Sequence, residues 1–143
     1  MGCDMHTFIE YKKPSDTEWQ EGNLYHRTYP GQQATDATFE RTWLKSESSS
    51  YELFAALANV RGTGGICDPR GLPADVSRRA FIEVGSWKGA AHSTSYFTLA
   101  ELLDHLPNYP VLQKLVEELE YRRGVLVYFT EPENFRLIFW FDS

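Results

Sequence analysis

Cys3-Asp4-Met5-His6-Thr7-Phe8-Ile9-Glu10-Tyr11 alternates residue by residue, with Cys3, Met5, Thr7, Ile9 and Tyr11 on one side and Asp4, His6, Phe8 and Glu10 on the other. A period of two is the signature of a β-strand. Its first face belongs on a core, and its second is polar at the beginning. Lys12-Lys13-Pro14-Ser15-Asp16 reads as a turn, after which Trp19 begins a short return strand. At the other end of the chain, Val125–Thr130 and Phe135–Phe141 are β-rich runs joined by Glu131-Pro132-Glu133-Asn134, the pattern of a hairpin. The N-terminal strand joins that hairpin in one antiparallel sheet.

Helices are expected between the two ends. Ser49 and Glu52 form a capping box for a helix from Ser50 to Val60 that buries Leu53, Phe54 and Leu57 and stops at Gly62, Gly64 and Gly65. Ser77 caps a short helix through Phe81 and Ile82. Thr98 and Glu101 form a second capping box, for a helix to about Leu106. Pro110 opens a helix to Arg123 with Leu112, Leu115, Val116 and Leu119 as its buried stripe and Gly124 as its stop. Arg61–Ser77 and Gly85–Ser95 are long loops, and residues 20–48 are either a lid or short strands. The expected fold is α+β: an antiparallel sheet from the N-terminal strand and a C-terminal hairpin, covered by three to four helices, in one domain over residues 1–143.

Composition narrows the function classes. With 42% hydrophobic and 15% aromatic residues the chain has material for a core. Its apolar runs fall short of the roughly 18–20 residues of a membrane span, and Asp4 and His6 stand where a signal peptide would be basic and apolar. Position 6 is His6, not the Ser or Thr favoured for myristoylation. Two cysteines, Cys3 and Cys67, suit free thiols in a reducing compartment, so a cytoplasmic location is expected. The 20 acidic and 14 basic residues leave a net charge of −6. A partner of duplex nucleic acid shows the opposite balance, whereas a small phosphorylated ligand needs only a few local cations.

Three polar clusters carry chemistry. In the first, Asp4 and His6 share a strand face, so a carboxylate can orient an imidazole. As metal ligands they are two only, and would need His92, Asp142 or Cys3, so neither a metal nor a cofactor is assigned. The second comprises Arg61 and Arg70-Gly71-Leu72-Pro73-Ala74-Asp75. A planar guanidinium suits phosphate, but there is no Gly-Lys-Ser/Thr of a P-loop. The alternative is an ordered loop in which Arg70 pairs with Asp68 or Asp75. In the third, His92, Ser93 and Ser95 offer an acid or base and hydrogen-bond donors, with Trp87 nearby to stack on a base or to cover core.

MGCDMH, YELFAALANVRG, DPRGLPADVS, AHSTSYFTLAEL and RLIFWFD, spread over the chain outside Trp19–Ser48, resemble a family of short bacteriophage and prophage proteins of unassigned activity. Its members begin Met-Gly-Cys-Asp-Ile-His and end in a motif like Val-Phe-Trp-Phe-Asp. Met5 replaces the usual Ile, and Gly89-Ala90-Ala91-His92 stands where members often carry an Asp shortly before the His. The resemblance implies a phage accessory protein acting against host processes, including defence.

Three functions follow as expectations. The first is a binding protein for a small phosphorylated or nucleotide-like ligand, sequestering a host defence signal, with Arg61, Arg70, Asp75, Trp87, His92, Ser93 and Ser95 as the ligand-binding set. The second is a hydrolase of such a ligand, with His6 or His92 as acid or base and Asp4 orienting His6. The third is an inhibitor that grips a host protein through an exposed Tyr/Trp-rich segment from Trp19 to Trp43.

Overall fold

Alternation at the N-terminus becomes β1 (Asp4–Tyr11), and the apolar run at the C-terminus becomes β4 (Phe135–Asp142). The two pair antiparallel over their whole length, from Asp4 opposite Asp142 to Tyr11 opposite Phe135. The computed structural model describes residues 4–22, 50–59, 64–126 and 130–142. After the turn at 12–19 a two-residue strand, β2 (Gln20–Glu21), returns along β1. A further strand, β3 (His92–Thr98), covers the far edge of β4, giving the antiparallel order β2-β1-β4-β3.

The sheet is covered on both faces. Met5, Ile9, Phe97, Leu137, Phe139 and Phe141 project from one face into the larger core. There they meet Leu53, Phe54 and Leu57 of α1 (Ser50–Ala58), Leu99 and Leu102 of α3 (Leu99–His105), and Leu115, Val116 and Leu119 of α4 (Gln113–Leu126). Burying each such side chain contributes roughly 1.5–3 kcal/mol. The opposite face carries Phe8, Tyr96, Ile138 and Trp140, packed under Ala80 and Val84 of α2 (Arg78–Gly85) and under Leu72, Val76 and Trp87.

Local signals set the helix ends. Thr98 accepts from the Glu101 backbone while the Glu101 carboxylate takes the Thr98 N–H, the reciprocal box expected there. Ser77 accepts from the Ala80 N–H and starts α2. Asn59, at φ 51°, ends α1, and its side-chain oxygen accepts from the N–H of Gly65.

Several expected elements differ. The helix expected from Pro110 opens as a 3-10 turn, Pro110–Leu112, before α4 begins at Gln113. Gly85–Ser95 is not a loop throughout: α2 ends at Gly85, and His92 opens β3. Ser and Thr made the stretch look irregular, but pairing with β4, some forty residues away in sequence, decides its state. A register shift between His92 and Ser95, with Ser93 at φ 54°, marks a bulge where the strand begins. Gly124 is not the stop of its helix either. It keeps a right-handed φ, and α4 continues through Val125 and Leu126, the first two residues of the run expected as the strand Val125–Thr130; a glycine inside a helix costs only about 1 kcal/mol. Residues 127–129 lie outside the described residues, and β4 has β1 on one edge and β3 on the other. Among the described residues no helix is long and apolar enough to cross a membrane.

Candidate functional site

Charged residues interrupt both central strands at one register position: Glu10 of β1 lies opposite Arg136 of β4. On the face covered by α2 they are almost completely enclosed, Glu10 at 0% and Arg136 at 3% exposure. A buried charge persists only with a partner. The Arg136 Nε donates to Glu10 Oε1 at 2.6 Å, and the N–H of Ser77 donates to Glu10 Oε2 at 2.8 Å. The start of α2 is thereby tied to the sheet.

The rest of the Arg136 fork bridges to Asp75: its Nη2 reaches both Glu10 Oε1 and the Asp75 carbonyl. Its Nη1 donates to Asp75 Oδ1 at 2.8 Å, and the guanidinium lies 3.8 Å from the centre of the Trp19 ring, a cation–π contact. Trp19 Nε1 donates to Asp75 Oδ2 at 2.9 Å, and Lys12 adds a second cation 3.9 Å from the same oxygen. Partial burial pushes the Asp75 carboxyl up, but hydrogen bonds from Arg136 and Trp19 outweigh it, and the net shift is below the ordinary Asp value. Asp75 is therefore anionic at neutral pH.

This network forms one side of an open cleft of about 730 Å³ between the segment before β2 and the start of α2. Thr17, Glu18 and Trp19 line one wall; Ala74, Asp75, Val76, Ser77, Arg78 and Phe81 line the other. The volume is in the range of small-molecule sites, roughly 300–1,000 Å³. The cleft combines an exposed aromatic ring (Phe81), a cation (Arg78), a hydroxyl (Ser77) and an oriented carboxylate (Asp75).

The residues expected to form a site are dispersed. Asp75 lines the cleft. Arg70 instead makes a bidentate pair with Glu101, Nη1 to Oε1 at 3.1 Å and Nη2 to Oε2 at 2.6 Å, and its guanidinium lies over Phe97. Neither Asp68 nor Asp75 is its partner: Asp68 accepts from Asn59, and Asp75 from Arg136 and Trp19. Ser95 is fully buried and accepts from the Arg70 backbone N–H, so with the Gly71 N–H on the Thr94 carbonyl it docks the loop onto β3.

Trp87 packs against His6, with ring centroids 4.1 Å apart and planes tilted by 36°, and both lie beside Trp140. His92 is exposed, with Nδ1 3.1 Å from the Ser93 hydroxyl, and its ring stacks on Phe141. Trp140 and Phe141 are successive strand residues whose side chains enter different cores. The two histidines therefore lie on opposite faces of the sheet and share no site. Asp4 enters the pairing opposite Asp142, while its side chain and the whole of Arg61 lie outside the described residues. Among the described residues no group of three or more metal-ligating side chains occurs.

Glu10, Arg78, Phe81 and Arg136 are not among the expected site residues; Trp19 is expected only in a partner-binding segment and Ser77 only as a helix cap. Arg136 carried a signal, as the one charge within the apolar run Phe135–Phe141, whereas Glu10 shares its strand face with Asp4 and His6 and did not stand out.

Fold and cleft together define an α+β protein with, among the described residues, a four-stranded antiparallel sheet and a polar, aromatic-walled cleft at the start of α2. No family model matches the chain, and neither a curated protein nor a solved structure does.

Proposed function

We propose that the protein binds a small phosphorylated or nucleotide-like ligand in the cleft between Trp19 and Phe81. The observation that carries this reading is the cleft itself: about 730 Å³, with a cation, a hydroxyl and an exposed aromatic ring on one wall. Arg78 and the Ser77 hydroxyl, at the start of α2, take the phosphate, where the helix adds favourable partial charge. Phe81 takes the planar part of the ligand by stacking. Arg70, held by Glu101, is not the phosphate clamp in this arrangement. The resemblance to phage accessory proteins supplies the setting, in which the ligand is a host defence signal held away from its receptor.

Sequestration is favoured over hydrolysis because His6 and His92 lie on opposite faces and neither lines the cleft. Titration calorimetry against nucleoside mono- and diphosphates should give one-to-one binding, with the ligand recovered intact by mass spectrometry. Arg78→Glu should weaken it. Absence of binding across the panel overturns the proposal, and recovery of products moves it to the hydrolase.

One observation favours a protein partner as a second reading. Phe81 and Ile82 are 61% and 55% exposed beside Arg78 and Arg79, and such an apolar pair flanked by arginines suits an interface. Trp19 is buried at 8% exposure, so the grip falls on α2 and not on that end of the Trp19–Trp43 segment. Ile82→Ser would separate the readings, since it should lower inhibition of a protein target while leaving ligand binding unchanged.

A further inference from the structure

Asp75 lines the cleft and is held by partners on both oxygens. We infer that it selects the ligand by its base, accepting from two adjacent N–H donors, as on the Watson–Crick edge of guanine; this rests on the binding proposed above.

Asp75 is anchored and yet open. Arg136 takes Oδ1 and Trp19 takes Oδ2, and Arg136 is fixed in turn by the buried Glu10. The carboxylate cannot rotate without breaking both hydrogen bonds, although its side chain is 61% exposed at the cleft. An ionised carboxylate has about four acceptor positions. With one hydrogen-bond donor on each oxygen, each oxygen retains capacity for a second; Lys12, 3.9 Å from Oδ2, is beyond hydrogen-bond distance and has to yield that position to the ligand.

That geometry presents two parallel acceptors and no donor. Guanine N1–H and its 2-amino group form the matching pair of donors. Adenine and cytosine each present one donor next to a ring-nitrogen acceptor, and uracil presents one N–H between two carbonyls. Each would set an acceptor lone pair against the carboxylate, a repulsive element of the kind that makes binding selective. Hypoxanthine keeps N1–H but lacks the 2-amino group, so it isolates the second hydrogen bond. The negative charge also keeps a phosphate off Asp75 and directs it to Arg78, which orders the ligand along the cleft with its base over Phe81.

The test is calorimetric titration of the purified full chain with GMP, IMP, AMP, CMP and UMP. GMP should bind tighter than AMP, CMP and UMP by about tenfold to a hundredfold, the usual value of a bidentate base contact, with IMP in between. Asp75→Asn, which places a donor at one position, should abolish the preference. Arg78→Ala should weaken all nucleotides alike and keep the order. Should Asp75→Asn fail to fold, the wild-type GMP-to-IMP ratio still decides. Binding of all five with equal affinity overturns the base selection and leaves the binding proposal standing. No binding by any of them overturns both.

Discussion

Glu10 and Arg136 stand 126 positions apart and meet at 2.6 Å inside the sheet. Their pair joins the two ends of the chain and also aims Asp75, so one ionic contact serves both fold and cleft. Removing one member leaves the other buried and uncompensated. Arg136→Met should therefore destabilise the protein by about 3–5 kcal/mol in chemical denaturation. Replacing both, as Glu10→Leu with Arg136→Met, should recover most of that loss, because two apolar side chains fill the space without a stranded charge. A double variant as unstable as the single one would refute this account.

Arg70 stood out as a phosphate ligand, yet its fork is closed by Glu101. Both side chains are partly exposed, at 28% and 34%, so the pair is worth little, on the order of 1 kcal/mol or less. Arg70→Ala should lower the unfolding free energy by about that amount and leave nucleotide affinity unchanged. A loss of affinity without a loss of stability would return Arg70 to the site.

Much of the architecture could be read from alternation and capping. The first strand, its core-facing residues and the Thr98–Glu101 box follow from spacings of two and three residues, which a window of sequence contains. What could not be read depends on distant partners. His92–Thr98 is a strand because β4 has a free edge there, and Ser95 is buried because the Arg70 backbone needs an acceptor. The same limit governs the site. Arg70, Asp75 and His92 were recognisable as chemically able groups, but Glu101, Arg136 and Phe141 decide what each does. Of the expected residues that are described, only Asp75 lines the cleft.

Two glycines should respond differently to the same substitution. A Cβ on Gly65 would lie 2.2 Å from the Ala55 carbonyl and 2.8 Å from the Asn59 backbone, and backbone on that side has no rotamer to retreat into. Gly65→Ala should cost about 3 kcal/mol or more, the upper end of overpacking, because the atoms it meets are backbone. Gly71 has φ +77° but nothing within 4 Å of a Cβ, so Gly71→Ala should cost only the left-handed strain of roughly 1–2 kcal/mol. Equal melting temperatures for the two variants would contradict the close approach of Gly65 to α1.

Phe81 tests the cleft without testing the core. At 61% exposure, Phe81→Ser should change stability by no more than about 0.5 kcal/mol, whereas loss of a stacking face should weaken a nucleotide by about 1–3 kcal/mol. Unchanged affinity in a normally folded variant would remove Phe81 from the site.

Acid should destabilise the protein through identifiable carboxylates. Burial raises the Glu101 carboxyl, but hydrogen bonds from Arg70 and the Thr98 backbone outweigh it, leaving it below the ordinary Glu value; Asp75 is lowered likewise. A group whose pKa is depressed on folding contributes stability that is complete above its unfolded value, about 4 for these carboxylates, and is lost as pH falls through its lower folded value. Glu118 works in the opposite sense. Burial raises its pKa, so its ionisation costs stability at neutral pH, and that cost is relieved as pH falls. Denaturation between pH 7 and pH 2 should therefore show stability falling below about pH 4. Glu101→Gln should flatten that fall. If Glu101→Gln left the acid limb unchanged, the pairing with Arg70 would carry none of the pH dependence, and Asp75→Asn would be the variant to account for it.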